Sequence, residues 1–207
     1  EGKVSVKRTG TAISYRFLRD DKGWRIFDSL SVTAPEQRTS SELGAIGIDV
    51  NACYLAVSEI NHHGNWIGSC RLPLCTYGKS SEQTKALIGD AAKQIAQLAL
   101  EAGKPVIIES LNFQRKKAEL EKQNPQYARM LSSFAYGKTL NAIKSACFRA
   151  GDEVREVNPA FTSVIGAVKF AQKHGLSVHQ GAALAIARRG LGLSETPPRQ
   201  SAIVPVA

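Results

Sequence analysis

Two short apolar runs that each end in an acid constrain this chain more than any other feature: AIGID, closing on Asp49, and VIIE, closing on Glu109. A brief unbroken apolar run reads as a strand buried on both faces, and such strands belong to sheets covered by helices on either side. ACYLAVSEI follows the first run, Asn61-His62-His63-Gly64-Asn65 supplies a turn, and WIGSCRLPL comes next, so an antiparallel three-stranded meander is expected. Ser80 to Ala102 carries apolar residues at helical spacing (Ala86, Leu87, Ala91, Ile95, Leu98, Ala99) and stops at Gly103. KPVIIES is then a strand parallel to the first. A helix is expected over 132–150 with Gly151 beyond it, EVREVNP is another strand, and Ser177 caps a last helix reaching Arg189. The order βββαβαβα describes an α/β chain, a mixed sheet with helices on both faces.

Upstream, residues 4–32 read as two or three strands. SYRFLR and WRIFDSLSV alternate apolar with polar residues, and Asp20-Asp21-Lys22-Gly23 between them has turn chemistry. This is too little sheet to stand alone, so it is the edge of another β domain or packs on the main one. Ala34 to Leu43 is polar and aperiodic and reads as a linker. The expected organisation is a β segment and linker over 1–40, the main domain over 41–193 and a tail over 194–207. With Glu1 first and its only Met at position 130, the chain reads as a piece of a longer product.

Charge narrows the partner. The 207 residues hold 27 Lys and Arg against 18 Asp and Glu, a formal charge of +9. Residues 41–109 contain seven acids and five bases, whereas 110–129 hold five bases and two acids, and 130–190 eight and three. Basic segments flanking a more acidic centre suit a polyanion bound around a carboxylate site. No apolar run reaches the ~20 residues that span a bilayer, and the start resembles no signal peptide, so neither a membrane nor secretion is expected. The four cysteines (Cys53, Cys70, Cys75, Cys147) form no C-x-x-C pair. That argues against a zinc ribbon and for reduced thiols.

In an α/β sheet, ligands gather beyond the carboxyl ends of the strands, which is where Asp49 and Glu109 stand. Carboxylates there can hold Mg²⁺ or Mn²⁺, and a pair of such ions assists phosphodiester cleavage. The ordinary alternative is a strand-end acid bonded to its own loop. Asn51 after Asp49, and Asn112, Arg115, Lys116 and Lys117 after Glu109, are candidates for contact with a nucleic-acid backbone. Turn duty and a solvated helix face are their alternatives. Tyr127, Phe134 and Tyr136 lie near Arg129 and Lys138 and have the makings of a stacking surface, although aromatic residues at helical spacing more often fill a core.

At this point the sequence resembles a known family. The element order with acids ending the first and fourth strands resembles the RNase H-like fold. The pieces GIDVNACYLAVSEI, VIIESLNF, VNPAFTS (157–163) and HQGAALAIARR (179–189) resemble the RuvC-like nuclease domain of TnpB-type transposon proteins, the OrfB family. The resemblance covers roughly 44–190. It implies an RNA-guided DNA endonuclease of a bacterial or archaeal mobile element, cytoplasmic and associated with the nucleoid. It also implies catalysis by three acids with Mg²⁺ (or Mn²⁺), with DNA and a guide RNA as partners and the 4–32 strands as the end of a preceding β-barrel. Two departures stand out. The interval 164–178, VIGAVKFAQKHGLSV, lacks the family's four-cysteine ribbon, so no zinc is expected. His179-Gln180-Gly181-Ala182-Ala183 replaces the family's D-x-N-A-A, so His179 stands at the third acid's position.

The expected catalytic and metal-binding set is therefore Asp49, Glu109 and His179, the last at the start of a helix where phosphate is favoured. Two functions compete: a metal-dependent endonuclease, or a relative that binds RNA and DNA without cutting. A third class, the actin-like ATPases that share a G-I-D strand, requires a second phosphate loop of D-x-G-x-T type. Arg149-Ala150-Gly151-Asp152-Glu153 does not supply it.

Overall fold

The computed structural model describes residues 13–30, 35–110, 133–193 and 195–196. It divides into two compact units, Glu1–Ala34 and Pro35–Ala207.

In the first unit, β1 (Ile13–Asp20) and β2 (Gly23–Leu30) form an antiparallel hairpin in which Asp20 pairs with Gly23. Gly23 has φ 113°, a conformation that suits glycine at so tight a reversal. Two strands, of the two or three expected, lie among the described residues. Tyr15, Phe17, Trp24 and Ile26 are all exposed on this hairpin.

The second unit holds a five-stranded sheet. Its strands are β3 (Ala45–Val50), β4 (Tyr54–Ile60), β5 (Trp66–Pro73), β6 (Val106–Glu109) and β7 (Val154–Val157), in the order β5-β4-β3-β6-β7. The first three form the expected antiparallel meander, and β3, β6 and β7 run parallel. Alternation along the strands divides the core into two. Ile46, Ile48, Val106 and Ile108 face α1 (Ser81–Ala102) and α2 (Ser133–Ala150), meeting Ile88, Ile95, Leu140 and Ile143. Ala45 and Ile107 face the opposite way, toward Ile165, Phe170, Leu184 and Ile186. On that second face lie α3 (Thr162–Ile165), a π-helical segment (Gly166–Ala171), α4 (Gln172–His174) and α5 (Val178–Gly190). Helices thus cover both faces, as the apolar runs required.

The caps follow local chemistry. Ser80 with Gln83, and Ser177 with Gln180, form capping boxes, and Gly103 ends α1 in the left-handed conformation at φ 65°. Within α1 it is Ile88 that is buried, while Ala86, one of the expected apolar positions, is exposed. The polar stretch read as a linker is bonded to the second unit: Arg38 N donates to Gly151 O (2.8 Å), Ser40 N to Gly103 O (2.9 Å), and buried Thr39 accepts from Glu153 N (2.8 Å). After α5, Glu195 joins the π-helical segment to α5 through Lys169 (2.9 Å) and Arg188 (2.7 Å). Among the described residues no helix is long and apolar enough to cross a membrane.

Candidate active site

The register of β3 against β6 pairs Ile48 with Ile108, so Asp49 and Glu109 are the next residues on adjacent parallel strands. Alternation turns both away from the Ile48/Ile108 face and toward α3 and α5. Two acids at matching positions of neighbouring central strands, each one residue past the Ile48–Ile108 pair, share one end of the sheet.

Each acid is held by a different element of the second face. Thr162, at the start of α3 and itself buried, places its hydroxyl 2.5 Å from Glu109 Oε1 and 3.0 Å from the Pro159 carbonyl. The preceding Phe161 has φ 63°, left-handed backbone that costs a non-glycine residue about 1 kcal/mol or more. That strained residue stands at the entry to α3, immediately before the Glu109 contact. Asp49 Oδ2 receives Asn51 Nδ2 at 3.1 Å and lies 2.9 Å from His179 Nδ1. Because a carboxylate oxygen accepts, Nδ1 is the donor in this contact, which leaves Nε2 as the ring nitrogen that Asp49 does not engage.

His179 reaches Asp49 because α5 lies close on the sheet. A Cβ on Gly47 of β3 would stand 2.0 Å from Ala183 O and 2.6 Å from Ala187 N, so only glycine permits this approach. A Cβ on Gly181 would meet Gly166 O at 2.4 Å, which brings α5 equally close to the π-helical segment. Ser58 Oγ of β4 donates to Gln180 O at 2.7 Å and ties down the first turn. The His179 ring meets Tyr54 edge-on (centroids 5.8 Å apart), and the Arg71 guanidinium lies 5.2 Å from the Tyr54 ring centroid.

Tyr136 of α2 is buried within the field of the two acids. Burial, then the negative charges of Glu109 and Asp49, push its hydroxyl far above the ordinary phenol range. It stays protonated, in the field of both carboxylates.

Two carboxylates with hydroxyl and carbonyl oxygens beside them are the hard donors a divalent cation takes. Yet among the described residues no group of three or more His, Cys, Asp or Glu could hold a metal ion. Glu109 Oε1 is turned to Thr162, and His179 Nδ1 is turned to Asp49. The oxygens of Asp49 and Glu109 are the donor type such a cation would take. With His179 they do not form the three-residue ligand cluster expected from sequence.

The other candidates divide. The Asn51 side-chain amide is engaged by Asp49, through Oδ2 and the main-chain oxygen (3.3 Å), so it holds the acid in place. Asn112, Arg115, Lys116 and Lys117 lie outside the described residues, as do Tyr127 and Arg129. Tyr136 belongs to the core, as the ordinary expectation for it had it. Sequence reasoning missed Tyr54 and Arg71. Tyr54 meets His179 from more than a hundred residues away and Arg71 lies against Tyr54, and no local pattern marks either contact.

The strand order, with only the second strand of the five antiparallel to the rest, and the helices on both faces make this an RNase H-like fold. No family model matches the chain, and no curated protein matches it in sequence. Among solved structures it is similar to Cas12f1 in a complex with sgRNA and target DNA (16% identity, TM-score 0.49), covering 84% of this chain and 55% of that one. It is also similar to T. thermophilus RuvC in complex with a Holliday junction substrate (18%, TM-score 0.47; 73% and 97% covered). A second Cas12f complex matches at 16% identity and TM-score 0.47, with 84% of this chain and 44% of that one covered. The chain spans about half the length of the Cas12f chains it matches.

Proposed function

We propose that this chain acts on nucleic acid as a RuvC-like phosphodiester hydrolase that depends on a divalent metal. The observation that carries the reading is the placement of Asp49 and Glu109 at matching positions on β3 and β6, each one residue past the Ile48–Ile108 pair, on the face where α5 delivers His179. Asp49 and Glu109 would hold Mg²⁺ or Mn²⁺, and the ion supplies Lewis acidity toward water and phosphate oxygens when bound. The chain's own residues do the rest. Asn51 and His179 fix the orientation of Asp49, and Thr162 fixes Glu109. His179 Nε2, the ring nitrogen that Asp49 does not engage, would serve as the proton acceptor for a water at the same end of the sheet. The formal charge of +9 draws the polyanion in.

The finer reading rests on the sequence resemblance: a TnpB-type protein of a mobile element, guided by RNA and working on DNA at the bacterial or archaeal nucleoid. A second reading, a relative that binds nucleic acid without cutting it, is favoured by one observation. His179 stands where the family's third acid is expected, and an imidazole is a poorer partner for Mg²⁺ than a carboxylate.

Cleavage of end-labelled single- and double-stranded DNA with Mg²⁺ or Mn²⁺ separates the readings. The hydrolase reading expects cutting that Asp49→Ala abolishes. Binding without any cutting supports the second reading, and cutting that survives Asp49→Ala removes the first.

A further inference from the structure

Cys53 and Cys75 approach each other at the outer end of the β4–β5 hairpin, with their Sγ atoms 3.1 Å apart and sharing a hydrogen bond. Cys53 lies in the turn between β3 and β4, and Cys75 lies just past β5. Their backbones are already aligned, since Tyr54 pairs with Pro73 and Leu74 N donates to Cys53 O at 2.8 Å. Cys75 is exposed and Cys53 partly so, which leaves the pair open to a small oxidant. The remaining two cysteines lack this arrangement: Cys147 is buried and Cys70 sits within β5.

We propose that Cys53 and Cys75 are a modification site, forming a reversible disulfide under oxidants of the peroxide class. Bond formation requires the sulfurs to close to ~2.05 Å, a movement of about 1 Å that a small side-chain rotation supplies. In the first step the Cys75 sulfur takes an oxygen atom from hydrogen peroxide, giving a sulfenic acid and one water. The Cys53 sulfur then attacks the sulfenic sulfur, the S–O bond breaks, and the oxygen leaves with a proton as a second water. Two thiols lose two electrons in all, and the peroxide is reduced to water. A dithiol reductant reverses the reaction.

The bond's position gives it a consequence. Cys53 lies between Asn51, which orients Asp49, and Tyr54, which meets the His179 ring. Asn51 N donates to Tyr54 O at 3.0 Å, closing the turn that contains Cys53. A covalent tie from Cys53 to the end of β5 therefore restrains the segment that positions both residues.

The test oxidises the full chain with hydrogen peroxide and maps its peptides by mass spectrometry, without nucleic acid or metal. The expected product is a peptide pair joined through Cys53 and Cys75, lighter by two hydrogens and separated again by dithiothreitol. Hydrogen exchange should slow about tenfold or more at the Asn51 and Leu74 amides on oxidation, because opening the turn then strains a closed loop. Cys53→Ser and Cys75→Ser should each abolish the linked peptide and the protection, while Cys70→Ser keeps both. Sulfinic or sulfonic acid at Cys75 without linkage, or linkage only between two chains, overturns the proposal. This test is independent of cleavage, so its failure leaves the hydrolase reading untouched, and the converse holds.

Discussion

His179 Nδ1 lies 2.9 Å from Asp49 Oδ2, so the residue standing where a third acid is expected engages the first acid as a hydrogen-bond donor. An acid at this position would repel Asp49, whereas the imidazole satisfies it. Asn51 and His179 orient the Asp49 carboxylate, and Thr162 engages that of Glu109.

His179→Asp reverses that balance. Without metal, two facing carboxylates should lower stability by about 1 kcal/mol. Added Mg²⁺ should restore it, since the cation neutralises both. Thermal unfolding with EDTA and with Mg²⁺ measures the effect: a metal-dependent rise in the variant well above that of the parent is expected. Equal shifts in the two would show that position 179 does not face a cation site.

Thr162→Val keeps the shape and removes the hydroxyl beside Glu109 Oε1. The buried contact is worth about 1–3 kcal/mol, because a hydrogen bond to a charged group is lost where water cannot replace it. Thr162→Ser should recover most of that loss. Chemical denaturation of the three proteins provides the comparison.

Gly47→Ala places a methyl against the backbone of α5, which cannot yield as a flexible side chain would. A loss of about 3 kcal/mol is expected, near the upper end for overpacking. Gly89→Ala is the control: α1 has open space there, and the exchange should stabilise the helix by roughly 0.5–1 kcal/mol. Urea unfolding of both variants should move in opposite directions.

Asp152 is buried, and neither of its carboxylate oxygens has a hydrogen-bond partner. Burial raises its pKa above the ordinary value of 3.8, against a smaller opposing pull from Arg38. A folded-state pKa above the unfolded one means that its favourable contribution is complete below the unfolded value. That contribution is lost as pH rises through the folded one. Asp152→Asn should therefore stabilise the protein at neutral pH, by about 1 kcal/mol, and the gain should vanish in acid. Stability curves of both proteins against pH check the sign.

What was legible in the sequence was local. The apolar runs at 45–48 and 106–108 announced buried central strands, and Ser177 announced the start of the last helix, because these signals act within a few residues. The placement of Asp49 and Glu109 at one end of the sheet followed from their strand ends. What escaped depends on distant approach. The sequence groups His179 with Asp49 and Glu109, but the hydrogen bond between His179 and Asp49 depends on Gly47 and Gly181 admitting α5 closely, and a glycine in a sequence does not reveal what comes against it. Thr162 reaches Glu109 from α3 by packing. The stretch 35–43 looked like a linker because it anchors largely through its main chain, which leaves no side-chain pattern. The Cys53–Cys75 approach depends on the register of β4 against β5.

The central claim is that Asp49 and Glu109 form one divalent-cation site. Titration of the full chain with Mn²⁺, followed by electron paramagnetic resonance of the free ion, tests it most directly. The account predicts saturable binding that Asp49→Asn and Glu109→Gln each weaken by about tenfold or more, with both variants folded as the parent is. Binding that neither substitution changes, or that only one of them affects, would contradict a shared site.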